Sequence, residues 1–293
     1  MDDLRARLGA SLFERVAGAE GEHRRVRIHQ TPGPRWFAED RPIRRVHADA
    51  SMFVGGLRAL LLQSLHPLAL AGVAGHSGFR GDPWGRLQRT SYFLAMTTFG
   101  AAPDAEATIA RIRAVHARVR GTAPDGRAYS ASDPHLLGWV HVAEVDSFLR
   151  AHQQYGSAPL DQEGRDGYVA DTARVSRALG VLDPPTTEAE VAEQLAAYRP
   201  ELGGTPEARD AARFLLLDPP LSWPARVPYS LLAAAAVGLM PWWSRPALRL
   251  PYLPLADATV VRLGGQAVTS GLRWIIAGGP PGAPMESRTA VEA

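Results

Sequence analysis

Two histidines carry most of the chemical scope of this chain, because each falls on the apolar stripe of a predicted helix. Over residues 103–120, Ile109, Ile112, His116 and Val119 recur at i, i+3, i+7 and i+10 and so share one face. In the next helical segment Leu137, His141, Glu144 or Val145, and Phe148 repeat the arrangement. An imidazole turned into an apolar interior stays neutral. It then serves either as a core residue satisfied by one hydrogen bond or as a metal ligand, a haem iron included, with its second nitrogen fixed by a carbonyl or carboxylate. Spacing alone does not choose between these.

A second group is Arg86-Leu-Gln-Arg89-Thr90, in which i, i+3, i+4 spacing puts Arg86, Arg89 and Thr90 on one helical face ahead of Tyr92-Phe93-Leu94. Two guanidinium groups beside apolar residues suit the mouth of a pocket, where they hold carboxylates or polarise an oxygen species. The plainer alternative is a solvated basic stripe. His66, after the run Leu60-Leu61-Leu62-Gln63-Ser64-Leu65, either lines the same interior or bonds the last carbonyls of its helix.

Much familiar machinery is missing. There is no Gly-x-Ser-x-Gly elbow, no dinucleotide-binding glycine fingerprint and no His-Glu-x-x-His. The single Glu-x-x-His, Glu20 to His23, lies in a charged segment, whereas a di-iron carboxylate bundle needs two on core helices. All 32 basic residues are arginine, which removes Schiff-base and phosphate-loop lysines. Cysteine is absent too, which removes thiolate-ligated haem, cysteine-bound iron–sulfur clusters and disulfides. A formal net charge of +2, with the arginines interspersed among 30 acidic residues, gives no nucleic-acid footprint.

The elements that must position these side chains read as helices almost throughout, which makes the fold class all-α, a single-domain helical bundle. Helices are predicted over 2–17, 48–65 with an exit or kink at Pro67, from Asp82-Pro83 onward, and over 103–120 with Gly121 as the stop. Others are predicted from Asp133-Pro134 to Tyr155, over 160–179, from a Thr187/Glu190 capping box to about Pro200, and over 206–217, 227–240 and 255–277. Residues 1–44 are expected to be a helix plus an irregular basic arm with a short strand at Val26–Ile28. Residues 45–277 form the main domain, and 278–293 a disordered tail. Pro124-Asp125-Gly126 marks a turn. The run Val227–Met240 is too short to span a bilayer and reads as a core helix, with peripheral membrane contact through Trp242 and Trp243 as the alternative. The N-terminus lacks the apolar core of a signal peptide, so a cytoplasmic location is expected.

Several segments, in order, resemble the rubber-oxygenase and mycophenolic-acid oxygenase B family, which includes the latex-clearing proteins. They are Gly55-Gly-Leu-Arg-Ala-Leu-Leu-Leu-Gln-Ser-Leu-His66-Pro67, Arg86-Leu-Gln-Arg89-Thr90, His116-Ala-Arg-Val-Arg-Gly121, Asp125-Gly-Arg-Ala-Tyr-Ser-Ala131, Asp133-Pro134 and Trp139-Val-His141. The likeness covers roughly residues 45–250. It implies a globin-like helical core, haem b, and oxygen-dependent cleavage of isoprenoid double bonds. It also implies that His116 is the proximal iron ligand, with Arg86 and Thr90 as the arginine and threonine of the family motif. Arg89 stands where rubber oxygenases carry a lysine able to cap the iron, and a guanidinium is a poor ligand. Those enzymes also carry a catalytic glutamate upstream, whereas the only acid between Gly55 and Arg86 here is Asp82.

The resulting expectation is a haem-dependent oxygenase acting on an apolar small molecule, such as an isoprenoid or a secondary-metabolite side chain. Dioxygen or peroxide would be the oxidant, Arg86, Arg89 and Thr90 catalytic, and His116, His141, His66 and Arg86 around the cofactor. A non-catalytic haem- or lipid-binding protein on the same scaffold is the alternative. Non-haem metal catalysis by His116, His141 and Glu144 is a third reading.

Overall fold

Charge pairing, rather than an apolar stripe, builds the second helix. The computed structural model describes residues 2–76 and 81–277. Helix α1 (Asp2–Ala17) lies where periodicity puts it, but the expected irregular arm and its strand are not there. Instead α2 (Gly21–Gln30) and α3 (Pro42–Ala48) occupy most of that stretch. Arg24 pairs with Glu20 at 3.3 Å and Arg25 with Glu22 at 2.5 Å, each one turn away, so α2 forms without the stripe that periodicity seeks.

The apolar segment that follows makes the centre of the molecule. Helix α4 (Met52–Gln63) stops at Ser64, and α5 (Pro67–His76) leaves at 107° to it. Pro67 thus opens a new helix rather than kinking the old one. Helix α6 (Pro83–Phe99) is capped by Asp82, whose carboxylate accepts from the Gly85 N–H at 2.9 Å. Helix α7 (Ala102–His116) ends four residues earlier than its spacing predicts. The chain then forms a hairpin of β1 (Arg120–Thr122) and β2 (Ala128–Ser130), antiparallel with Gly121 opposite Tyr129. Gly121 is therefore a strand residue and not a helix stop; a Cβ there would lie 2.7 Å from the Tyr129 hydroxyl oxygen.

Helices α8 (Pro134–Tyr155), α9 (Gln162–Leu179, ending at Gly180) and α10 (Glu188–Tyr198) follow the predicted boundaries closely, and a 3₁₀ turn covers Arg199–Glu201. Thr187 caps α10, accepting from the Glu190 N–H at 3.2 Å, while Glu190 reaches back to the Thr186 N–H at 2.6 Å. Helices α11 (Pro206–Leu217), α12 (Trp223–Gly238), α13 (Pro254–Ala256) and α14 (Arg262–Ile276) complete the described chain, with a π-helical segment Asp257–Val261 joining the last two.

Helices α4 and α8 cross at the core, and one glycine sets their approach. A Cβ on Gly55 would sit 2.7 Å from Phe148 Cδ1 and 3.1 Å from its Cα, and backbone cannot yield. Beside this crossing, buried Arg58 bonds Asp146 at 2.6 Å, Ser147 Oγ at 2.6 Å and the Leu239 carbonyl at 2.9 Å, which ties α12 to the pair. Gly55→Val is expected to lower stability by about 1–3 kcal/mol, since overpacking here must push two helices apart. A denaturant midpoint equal to the parent's would show that the crossing has slack.

The core-helix expectation for Val227–Met240 holds for one side of α12 only. Ala233, Ala235 and Ala236 are buried, whereas Val227 is 67% exposed and Trp223 82%. Trp242, Leu255, Val260 and Leu263 are also largely exposed, which concentrates apolar surface in this part of the chain. No single described helix is long and apolar enough to cross a membrane.

Candidate active site around α6, α7, α8 and α9

On α8, His141 and Glu144 stand one turn apart and face the same way. Both are largely enclosed by protein, and each keeps some accessible surface. Burial, and then the charge of Arg177, lowers the His141 pKa to about 4, and its Nε2 is buried with no partner among the described residues. Burial raises the Glu144 carboxyl to about 7. No side chain or backbone group among the described residues hydrogen-bonds it.

Next to Glu144 runs a chain of hydrogen-bonding groups. The Tyr168 hydroxyl on α9 is pushed well up by burial and then by the negative charge of Glu144. Its oxygen lies 3.3 Å from His47 Nε2, and His47 Nδ1 lies 2.8 Å from Thr98 Oγ1. Burial, and then His152, lowers His47 to about 3, so this imidazole is neutral at physiological pH.

His116 is the last residue of α7, half-buried, with a buried Nδ1 that has no partner among the described residues. Burial lowers its pKa, so the ring is neutral at pH 7 and a nitrogen lone pair is available. One turn earlier, Arg113 donates to the Ala178 carbonyl at 3.3 Å, beside the Arg177 whose charge acts on His141. Helices α7 and α8, which carry His116 and His141, both pack against α9. Val119, expected to complete the His116 stripe, lies beyond the helix end.

Helix α6 supplies the cation. Arg86, Thr90 and Leu94 lie along one face, and Leu94 packs against the core cluster to which Val145, Phe148 and Tyr168 belong. Burial, and then neighbouring Arg89, lowers the Arg86 pKa, and its guanidinium has no hydrogen bond or ion pair among the described residues. The other two members of this predicted group differ. Arg89 is exposed and pairs with Asp82 at 3.1 Å, and Thr90 is exposed.

His66 is placed elsewhere. It is 1% exposed, against Trp139, with its Nε2 3.3 Å from Glu201 Oε2, and none of its partners belongs to the group above. Two open clefts also lie apart from the histidine pair. One is lined by Arg15, Trp84 and Gln88, the other by Leu65, Arg199 and Trp243.

Sequence patterns had pointed to Glu144 only through its spacing from His141, and to His47 and Tyr168 not at all. Tyr168 sits on an apolar stripe like any core aromatic. His47 lies at the end of a helix that periodicity did not find.

The donor chemistry suits a haem: two neutral imidazoles whose buried nitrogens have no partner among the described residues, and a half-buried guanidinium, unpaired among them, fit for a propionate. No solved structure gives a significant match to this chain. Two curated relatives, an uncharacterized protein of Mycobacterium bovis and one of Mycobacterium tuberculosis, are each 31% identical over 100 residues, 34% of this chain and 38% of theirs. The match therefore spans less than half the length of either relative. A family model described as the catalytic domain of ER-bound oxygenase mpaB/B′ and rubber oxygenase matches residues 44–272. That span includes His47, Arg86, His116, His141, Glu144 and Tyr168, and by it the chain belongs to the mpaB/rubber oxygenase family.

Proposed function

We propose that this protein is a haem b-dependent oxygenase acting on an apolar small molecule, within a globin-like arrangement of α6 to α9. The observation that carries this reading is His116, a neutral, half-buried imidazole with an unpartnered Nδ1 inside an oxygenase catalytic domain. Haem b would supply the activation of dioxygen or peroxide. His116 would hold the iron, His141 would line the cofactor, and Arg86 would pair with a propionate or with negative charge at the oxidant. Thr90, one turn along from Arg86, and Arg89, held at the rim by Asp82, complete the polar edge.

Glu144 takes the acid–base role that the motifs around Arg86 leave vacant. A carboxyl near pKa 7 holds or releases a proton at working pH, and the Tyr168–His47–Thr98 chain beside it offers a route for relay. The apolar residues of α6 and α8 favour a hydrocarbon-like substrate, such as an isoprenoid or a secondary-metabolite side chain. Residues 45–277 carry this chemistry, with the N-terminal helices packed over α6. The exposed Trp223, under the Arg226 guanidinium, together with Trp242 and Leu255 suits peripheral contact with a bilayer from which such a substrate partitions.

An absorption spectrum of the purified protein tests the reading. A Soret band that shifts when carbon monoxide is added to the reduced protein is expected. A protein that shows no such band after incubation with haemin is not a haem oxygenase. The exposure of Arg89 and Thr90 favours a second reading, a haem carrier without turnover. Oxygen uptake driven by an alkene separates the two.

A further inference from the structure

Three side chains of metal-binding type converge away from the haem candidates. His66 follows the α4–α5 break, His135 lies in the first turn of α8, and Glu201 ends the 3₁₀ turn after α10. Each offers one ligand atom, and the three atoms lie within 4.8 Å of one another. Both imidazoles aim Nε2 at the same carboxylate, His66 at 3.3 Å from Oε2 and His135 at 2.9 Å from both oxygens.

We propose that His66, His135 and Glu201 bind one divalent transition-metal ion, Zn²⁺ or Fe²⁺ by the chemistry of the donors. Two imidazoles and a carboxylate are the ligand set of three-point sites that keep coordination positions open for water or substrate. Ligands held about 2.1 Å from an ion in tetrahedral or octahedral geometry stand roughly 3.0–3.4 Å apart. Both carboxylate contacts already fall in or next to that range. Only the two histidines must close on each other, and the His135 side chain is 55% exposed.

The surroundings fix the remaining ligand and leave a way in. Trp139 packs against the His66 ring. Tyr198 stacks on the His135 ring at 4.7 Å between centroids and donates its hydroxyl to the His135 carbonyl at 2.8 Å, an outer layer that orients the ligand. Arg127, whose charge acts on His66, is already paired with Asp125 at 2.7 Å. His135 and Glu201 open to solvent, while His66 closes the inner side. An ion here would fasten three elements that the chain brings together only in the folded state, and so would stabilise the right-angled joint between α4 and α5.

The site shares no residue with the haem candidates, so it stands or falls separately from the oxygenase reading. Full-length protein stripped with a chelator is titrated with Zn²⁺ by calorimetry, and with Co²⁺ as a spectroscopic probe. One ion per chain is expected, with a rise in thermal midpoint. His135→Ala and Glu201→Gln should each weaken Zn²⁺ binding at least about 100-fold, and His116→Ala should leave it unchanged. His135 and Glu201 are partly exposed, so these variants keep the fold where loss of buried His66 could break it. Absence of saturable binding to the parent protein, or parental affinity in either variant, overturns the proposal.

Discussion

His116→Ala is expected to abolish the Soret band of the purified protein and to reduce oxygen uptake with an alkene to background, while His141→Ala keeps the band. Both imidazoles are neutral and both carry an unpartnered nitrogen, so neither charge nor hydrogen bonding separates them. Position does. His116 ends α7, partly exposed at the helix terminus, where the chain turns away. His141 sits in the middle of α8 between buried Trp139 and Val142, deep enough that burial and Arg177 lower its pKa to about 4. The structural cost of His116→Ala is small. A neutral ring at a helix C-terminus forgoes the dipole interaction that a charged one would gain, so less than about 1 kcal/mol is at stake. An unchanged unfolding midpoint with a lost band therefore identifies the ligand. Retention of the band in His116→Ala and its loss in His141→Ala would move the iron to α8.

The elements around this pair were legible where local chemistry marks an end. Asp82 and Asp133 accept hydrogen bonds from N–H groups in the first turns of α6 and α8, and Thr187 does the same for α10, all within three residues of sequence. Helix α2 escaped because its stabilisation is ionic and leaves no apolar period. The end of α7 was misplaced for a different reason. Gly121 looks like a stop signal, but it serves a strand whose partner lies beyond the turn. For the site, the apolar stripe of α8 correctly turned His141 and Glu144 inward. What put Tyr168 beside Glu144, or Glu201 between His66 and His135, was tertiary packing across separations of 66 and 135 residues for the two histidines. No pattern in the intervening sequence encodes those meetings, and the charge pair that leaves Arg86 alone at the interior, Arg89 with Asp82, is likewise visible only in space.

Glu144→Gln is expected to lower turnover by a factor on the order of 10² to 10⁴ while raising stability at alkaline pH. The two effects share one cause. Burial raises the carboxyl to about 7 from its ordinary value near 4.5, so the folded protein keeps a proton that the unfolded chain has lost. Between those two pKa values the native state binds more protons than the unfolded state, and stability falls as pH rises; the full penalty, roughly 3 kcal/mol, is reached above pH 7. Buried His141 and His47, with pKa lowered to about 4 and about 3, act in the opposite sense, because the unfolded state takes up protons first and their contribution grows as pH rises to about 6.5. The parent profile mixes these opposing slopes, so the informative quantity is the difference between Glu144→Gln and parent at each pH. That difference should be nearly flat below pH 4 and climb in favour of the variant up to about pH 7. The neutral amide keeps the shape of the carboxyl and never ionises, which removes the destabilising charge and the transferable proton together. A variant that gains stability at pH 8 but retains parental turnover would leave Glu144 a buried carboxyl without a catalytic part. A difference that does not vary with pH would mean that the group ionises as freely in the fold as outside it.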